Sequence, residues 1–409
     1  MTKFLSAQEA AAELGISVST LYSYVSRGLI RSEETEGKSR ARRYYVEDVQ
    51  ALKQRKEARR NPDVVAERAL NWGEPVLDSS LTLIEEGHLY YRGLDALELA
   101  QTSTLEAVAG LLWMDELDET IVGAAAEFVV PSFYQALRPQ LAERTPVEAL
   151  QVVLPLAAVH DLAAYDLSPA AVQQTGARIL HLFTAIATDN QLAPTIAQSL
   201  QQAWGSAQPQ YGRLLNAALI LCADHELNAS SFTARCVAST NANPYAAVQA
   251  GLAALQGPKH GGHTERVEAL FREAAVSGAR QTVMGRLRRG EEISGFGHKL
   301  YPEGDPRGRL LLDLVSQLVP EAPLWPLVQE VVELVYESVG KRPTIDLGLV
   351  TLSQVLSLPA GAPLTLFAMG RLVGWIGQIM EQYALDALIR PRARYTGIRP
   401  LRRIVDRAG

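Results

Sequence analysis

GPKHGGH, at Gly257–His263, sets a histidine between a proline-bearing turn and two glycines, directly ahead of a stretch with helical spacing. From Thr264, a candidate N-cap, the apolar residues Val267, Leu270, Phe271 and Ala274 recur at i, i+3, i+4 and i+7, and Gly278 supplies a stop. Glycines let the backbone come close to a ligand, and a helix N-terminus favours negative charge beside it. The same period continues outward in both directions. Ser103-Thr104-Leu105-Glu106 reads as a capping box ahead of an apolar face of Leu105, Val108, Leu111 and Leu112, and Val328, Val331, Val332 and Val335 repeat the spacing before Gly340 and Pro343. Strand signals are nearly absent after about Ala66, so an all-α body is predicted. No dinucleotide or Walker-type glycine loop interrupts it.

Two more strings place titratable residues at helix starts: GFGHKLYPEGDPR at Gly295–Arg307 and TIDLG at Thr344–Gly348. In Asp305-Pro306-Arg307 the aspartate is a good N-cap and the proline a good first helical residue, which puts Arg307 in the first turn, near His298. Asp346 begins a helix predicted over Leu347–Leu356, where the dipole helps to keep it ionised. His260, His298 and Asp346 together are what a carbon–carbon condensation needs: a base for a proton next to a carbonyl, and donors for two carbonyl oxygens that gain charge.

A chain of 409 residues, 47% hydrophobic and 21% charged, has room for two or three domains with real cores. The N-terminus has no apolar core of signal-peptide type, and the late apolar stretch Leu364–Met380 is interrupted by Arg371 and Gln378, which predicts a cytoplasmic protein without a membrane partner. Cys222 and Cys236 lie at no metal-like or paired spacing and are expected to be buried thiols. Charge is unevenly spread. Residues 1–61 hold 12 Lys/Arg against 8 Asp/Glu, whereas the remainder holds 27 against 37, so the two parts face different partners.

In the basic part, Ser6–Leu14 opens with a capping box from Ser6 to Glu9, Gly15-Ile16-Ser17 makes a turn, and Ser19–Ser26 begins a second helix. A short strand is expected at Tyr44–Val46 and a basic helix over Val46–Arg60. The segment resembles the winged helix of the excisionase and MerR type. That resemblance implies duplex DNA as partner, with Ser17, Ser19, Thr20, Tyr22 and Ser23 toward a major groove and Arg40, Arg42 and Arg43 of the wing on phosphates. A small helical domain serving as a protein contact is the competing reading. Asn61-Pro62-Asp63 is the expected break, giving a first domain at 1–62.

From about Leu81 to Gly397 the chain resembles the citrate synthase family, through LTLIEEGHLYYRGLDALELA, ADHELNAS at Ala223–Ser230, YAAVQAGLAALQGPKHGG, GFGHKLYPEGDPR, FAMGRLVGWIGQ and RPRARYTG in that order. The resemblance implies a large helical domain at 66–262 and 358–409 with a small one at 263–357, closing over substrate in a homodimer. It implies Asp346 as base and His260 and His298 as donors in joining an acyl-coenzyme A to oxaloacetate, with no further cofactor. His225, Arg307, Arg371 and the partner subunit's Arg390 would hold oxaloacetate carboxylates, while Gly295 and Gly297 would admit coenzyme A. Acetyl-CoA gives citrate synthase; propionyl-CoA gives 2-methylcitrate synthase, and one methylene shifts binding by only about 1–3 kcal/mol. A DNA-binding regulator with this body as metabolite sensor is the alternative from another class. His225 and Arg371 also admit structural readings, the latter as a buried ion pair. The family usually has a small residue and then asparagine where His263 and Thr264 stand. That departure raises a His260/His263 metal pair, but no Cys or carboxylate at suitable spacing completes it and no metal is predicted.

Overall fold

The computed structural model describes residues 4–27, 29–34, 42–46, 48–49, 52, 77–205, 208–393 and 395–398. The chain divides into two compact units, Met1–Asp78 with Pro391–Gly409, and Ser79–Arg390. The expected break at 61–63 lies outside the described residues.

In the first unit Ser6 caps helix Ala7–Leu14 through the capping box with Glu9, and Gly15 ends it in the left-handed region. Helix Val18–Ser26 follows, its N-cap Ser17 accepting from the Thr20 backbone N–H. Strands Phe4–Ser6, Arg42–Tyr45 and Ser32–Glu34 form an antiparallel sheet with Arg42–Tyr45 in the centre. Ala10, Leu14, Leu21, Ile30, Tyr44 and Val49 make one small core beneath helices and sheet. The expected strand is thus longer than Tyr44–Val46 at its start, and of the basic helix only residues 46, 48, 49 and 52 are described, all helical.

The second unit is helical apart from a small sheet of Thr82–Glu85, His88–Tyr91 and Leu94–Asp95. This sheet is the small strand content of a body that is otherwise of the expected all-α class. TLIEEGHLYY alternates about Gly87, and its inward residues Leu89 and Tyr91 are fully buried, which is a half-buried hairpin's pattern. Helices Leu105–Met114, Pro169–Ala187, Pro209–Leu221 and Ala229–Ala238 pack around the long helix Ala362–Leu385. Gly370 and Gly374 permit the closest of these approaches: a methyl on the first would collide with the Leu219 carbonyl oxygen, and on the second with that of Ala223. No single helix among the described residues is long and apolar enough to cross a membrane.

Two expected caps form differently. Thr104 caps helix Leu105–Met114 alone, because Glu106 turns inward and accepts from the Ile196 N–H at 2.7 Å. Helix His263–Ser277 starts one residue before Thr264, whose hydroxyl donates back to the Gly261 carbonyl.

A second core of Val267, Phe271, Val283, Val331, Val335, Leu347 and Val350 belongs to helices His263–Ser277, Ala279–Arg288, Trp325–Val339 and Ile345–Val355. Leu349 and Leu352 of the last helix join the main core instead, as do Leu311 and Val315 of helix Pro306–Leu318, while Leu312 joins the second. These two helices pack together along the seam between the cores. Asp346 and Arg307 stand in their first turns, at this seam.

Candidate active site

Asp305 caps helix Pro306–Leu318 and does more than cap. Its carboxylate accepts from the Arg307 backbone N–H, from Arg307 Nε and Nη2 at 3.0 and 2.9 Å, and from the Ile345 N–H at 3.0 Å. One buried ion pair thereby ties the starts of both seam helices together. Burial pushes the Asp305 carboxyl up, but Arg307's charge and the hydrogen bonds outweigh it, and the group lies below the usual carboxylate range. Arg307 therefore offers a ligand only its remaining Nη1 edge, not the bidentate Nε/Nη2 fork expected of a clamp.

His298, Tyr301 and His225 form a ring cluster beside this pair. His225 meets His298 edge-on at 5.3 Å between centroids and hydrogen-bonds the Tyr301 hydroxyl at 3.0 Å. The Leu300 N–H donates to His298 Nδ1 at 3.2 Å, which places the hydrogen of the neutral ring on Nε2 as a free donor. Burial, with Arg307's charge, lowers His298 to about 4, and burial with the charges of Arg307, Arg371, His298 and His260 holds His225 well below an ordinary histidine. Both rings are neutral at physiological pH. Those shared electrostatics bring His225, His260, His298, Arg307 and Arg371 into one neighbourhood.

His260 is held by a turn in which the Gly262 N–H donates to the Leu255 carbonyl and the His263 N–H to that of His260. Its Nε2 meets the Ser230 hydroxyl at 2.9 Å, and that hydroxyl also receives the Trp375 indole N–H at 3.1 Å. The Ser230 hydroxyl gives its own hydrogen to Asn228 Oδ1 at 2.8 Å, so His260 Nε2 meets it as a donor. Burial first, and Arg371's charge second, lower His260 to about 3. Phe367 packs edge-on against the ring.

Arg371 is buried at 1% exposure, donates from Nε to the Cys222 carbonyl at 2.8 Å, and leaves Nη1 buried with no partner among the described residues. Nearby Asp224, also fully buried, bonds Thr82 and Gln378 through one oxygen while the other is unpaired. Burial lowers Arg371 and raises Asp224. An unused guanidinium donor in a dry site is an invitation to an anionic ligand.

Asp346 accepts from the Thr344 hydroxyl at 3.2 Å. Burial pushes its carboxyl up, against the charges of His263 and Arg307. The loop before it is anchored on both sides: the Thr344 N–H donates to the Gly295 carbonyl and the Gly297 N–H to that of Arg342, each at 2.8 Å. Gly295 and Gly297 both take positive φ, 88° and 81°, which makes this narrow double connection possible. Arg390 is exposed at the end of this unit. No group of three metal-ligating side chains occurs among the described residues.

On the first unit, Ser19 and Tyr22 of helix Val18–Ser26 are exposed, while Thr20 and Ser23 are half-buried. Ser17 is committed to its cap and to the hydroxyls of Ser19 and Thr20, each at 2.8 Å. Arg42 is exposed; Arg43 is exposed too but bridges Glu33 at 3.2 Å and lies over Phe4. Arg40 lies outside the described residues.

The sequence reading missed Tyr301, Asp305's second role, Ser230, Asp224 and His263's neighbours. Tyr301 and Ser230 lie inside GFGHKLYPEGDPR and ADHELNAS, so their signal was position within a quoted string.

Residues 70–392 match the family model described as citrate synthase, C-terminal domain, and residues 4–57 match a helix-turn-helix domain. Citrate synthase 2 of Bacillus subtilis is 30% identical over 345 residues, which span 78% of this chain and 93% of the relative. The 2-methylcitrate synthase of Shewanella oneidensis is 29% identical, over 76% of this chain and 89% of its own. The crystal structure of citrate synthase from Thermotoga maritima superposes with a TM-score of 0.71 at 26% identity, covering 84% of this chain and 99% of that one. A ternary complex of carboxymethyl coenzyme A and oxaloacetate with the citrate synthase of Thermoplasma acidophilum shares the fold, with a TM-score of 0.69 at 23% identity over 80% and 95% of the two chains. The chain belongs to the citrate synthase family and carries an N-terminal helix-turn-helix domain.

Proposed function

We propose that residues 79–390 join the α-carbon of acetyl-CoA to the keto carbon of oxaloacetate and hydrolyse the product to citrate and coenzyme A. Asp346 takes the α-proton, and the oxygen charge that develops on the thioester is met by His260. His298, with its Nε2 hydrogen free, polarises the keto carbonyl and gives that hydrogen to the alkoxide as the carbon–carbon bond forms. Water then attacks the thioester carbonyl and the coenzyme A thiol departs. Neutral imidazoles suit both donor roles, since each can give a hydrogen without first attracting one from solvent: His298 from its free Nε2, and His260 by turning the Nε2 hydrogen it lends to Ser230. The observation that carries the reading is the buried, unpartnered Nη1 of Arg371 among three neutral histidines: a dicarboxylic acceptor supplies the missing anion. His225 and the free edge of Arg307 complete its seat, and Gly295–Gly297 receives the thioester.

Mixing the protein with oxaloacetate and acetyl-CoA should release free thiol, and Asp346→Asn or His260→Ala should remove most of that release. No thiol with acetyl-CoA or propionyl-CoA sinks the reading. The ratio of the two rates decides between a citrate and a 2-methylcitrate synthase.

We assign the active form as a homodimer. Val152, Leu156 and Val159 recur on one face of helix Pro146–His160 and, with Leu162 and Tyr165, stay exposed in the single chain, a patch suited to a second copy. Arg390, exposed at the end of this unit, then acts on the neighbour's oxaloacetate. Sedimentation showing a fully active monomer would contradict this.

For the first unit we propose duplex DNA as partner, on the exposure of Ser19, Tyr22 and Arg42 along one helix and the adjoining strand. Retention of DNA should fall steeply with salt and vanish on deletion of residues 1–62, with catalysis spared.

A further inference from the structure

His263 is absorbed by none of the roles above, yet it stands between two parts of the site that must act together. It opens helix His263–Ser277, three residues after His260, and its Nε2 accepts the backbone N–H of Gly295 at 3.2 Å. Gly295 is buried, and its carbonyl takes the Thr344 N–H at the start of the helix that carries Asp346. A methyl on Gly295 would touch Val267 of one helix and Leu347 of the other, so nothing larger than this peptide separates the two.

We infer that His263 is a positioning residue which holds the thioester-side loop Ser294–Gly297 against the start of the helix that carries Asp346. The inference rests on Asp346 being the base. A neutral imidazole has one lone pair, and here it is spent on Gly295, which fixes the other nitrogen as the hydrogen-bearing one. Without that acceptor the buried Gly295 N–H is stranded and the loop loses its tie to the helix that follows His260. Other charged groups around His263 come from several elements. Arg266 on its own helix, Arg286 on the next, and Glu291 and Glu292 ahead of the loop line a cavity of about 390 Å³ with it, and Lys341 lies against Gly297. Arg286 is paired with Glu273 at 2.7 Å.

Two variants test the inference. Glutamine can offer Oε1 to Gly295; alanine cannot. Hydrogen exchange of the peptide spanning Gly295, read by mass spectrometry on the intact protein, should be faster in His263→Ala than in the parent and unchanged in His263→Gln. In thiol-release kinetics, His263→Ala should raise KM for the thioester about tenfold, the effect of stranding a buried N–H, and leave KM for oxaloacetate unmoved, while His263→Gln should keep both KM values near those of the parent. Exchange in His263→Ala as slow as in the parent, or a thioester KM raised equally in His263→Gln, overturns the inference. A protein that released no thiol would defeat the condensation reading, and the exchange comparison would still decide whether His263 holds Gly295.

Discussion

The seam of the catalytic unit and the wing of the first unit both concentrate arginine, and they use it in opposite ways. Arg307 and Arg371 are almost wholly buried, each with part of its guanidinium given to the protein and part left over. Arg42 and Arg43 are exposed to water. In the seam a charge is kept because leaving it unpaired is costly, so its partners are fixed by structure; at the wing a charge is cheap, and its partners are set by concentration and salt. Mutations should therefore read out as large and local in one region, small and ionic in the other.

The largest effect belongs to Asp346→Asn, which keeps shape and removes the proposed base. Thiol release should fall by about 10²–10⁴-fold, the usual range for a positioned proton acceptor, with stability little changed. A smaller loss would move the base elsewhere in the seam.

Asp305→Ala strands Arg307 without its ion pair and unties the two seam helices. Urea unfolding should show a loss of about 3–5 kcal/mol. By contrast Glu33→Ala, which releases Arg43 and the Tyr45 hydroxyl at the exposed wing, should leave the unfolding midpoint nearly unmoved. Equal losses would erase the distinction between the regions.

Acid should find the seam first. His260 and His298, lowered to about 3 and about 4, take up protons in the unfolded chain near pH 6.5 while the folded one refuses them. The unfolded state then binds more protons across pH 6.5 to 4, so stability falls as pH drops through that window, by about 1.4 kcal/mol per unit for each such ring. His260→Asn should remove about one proton from the slope of unfolding free energy against pH. An unchanged slope would mean that the ring titrates alike in both states.

The smallest effect is at the wing: Arg42→Ala should leave unfolding unmoved and lower the salt slope of DNA retention by about one.

Much of this was legible along the chain. Ser6 with Glu9, Asp305 and Thr344 each act on a backbone N–H two or three residues away or begin the expected helix, and such contacts are written in local order. What was not legible is long-range. Glu106 leaves its expected box for Ile196, ninety positions on, because an orphan N–H is buried there. Tyr301 finds His225 across 76 positions and Trp375 finds Ser230 across 145, and no periodicity encodes such meetings. The departure at His263 was visible as a difference, but its meaning required Gly295 and Asp346 in space. The sheet at 82–95 was missed because its alternation is only four residues long on each strand.

The two glycines that flank Arg371 carry a consequence for how variants of this chain would be judged. Gly370 and Gly374 touch no reacting group, yet any side chain there must push the helix off the Leu219 and Ala223 carbonyls and carry the arginine with it. A population of such variants would keep every acid, base and clamp in its register and still lose the acceptor. Screening genomes for the reactive residues alone would count them as intact enzymes, whereas the silent positions on the helix's flat side are where inactivating drift in this protein would first go unnoticed.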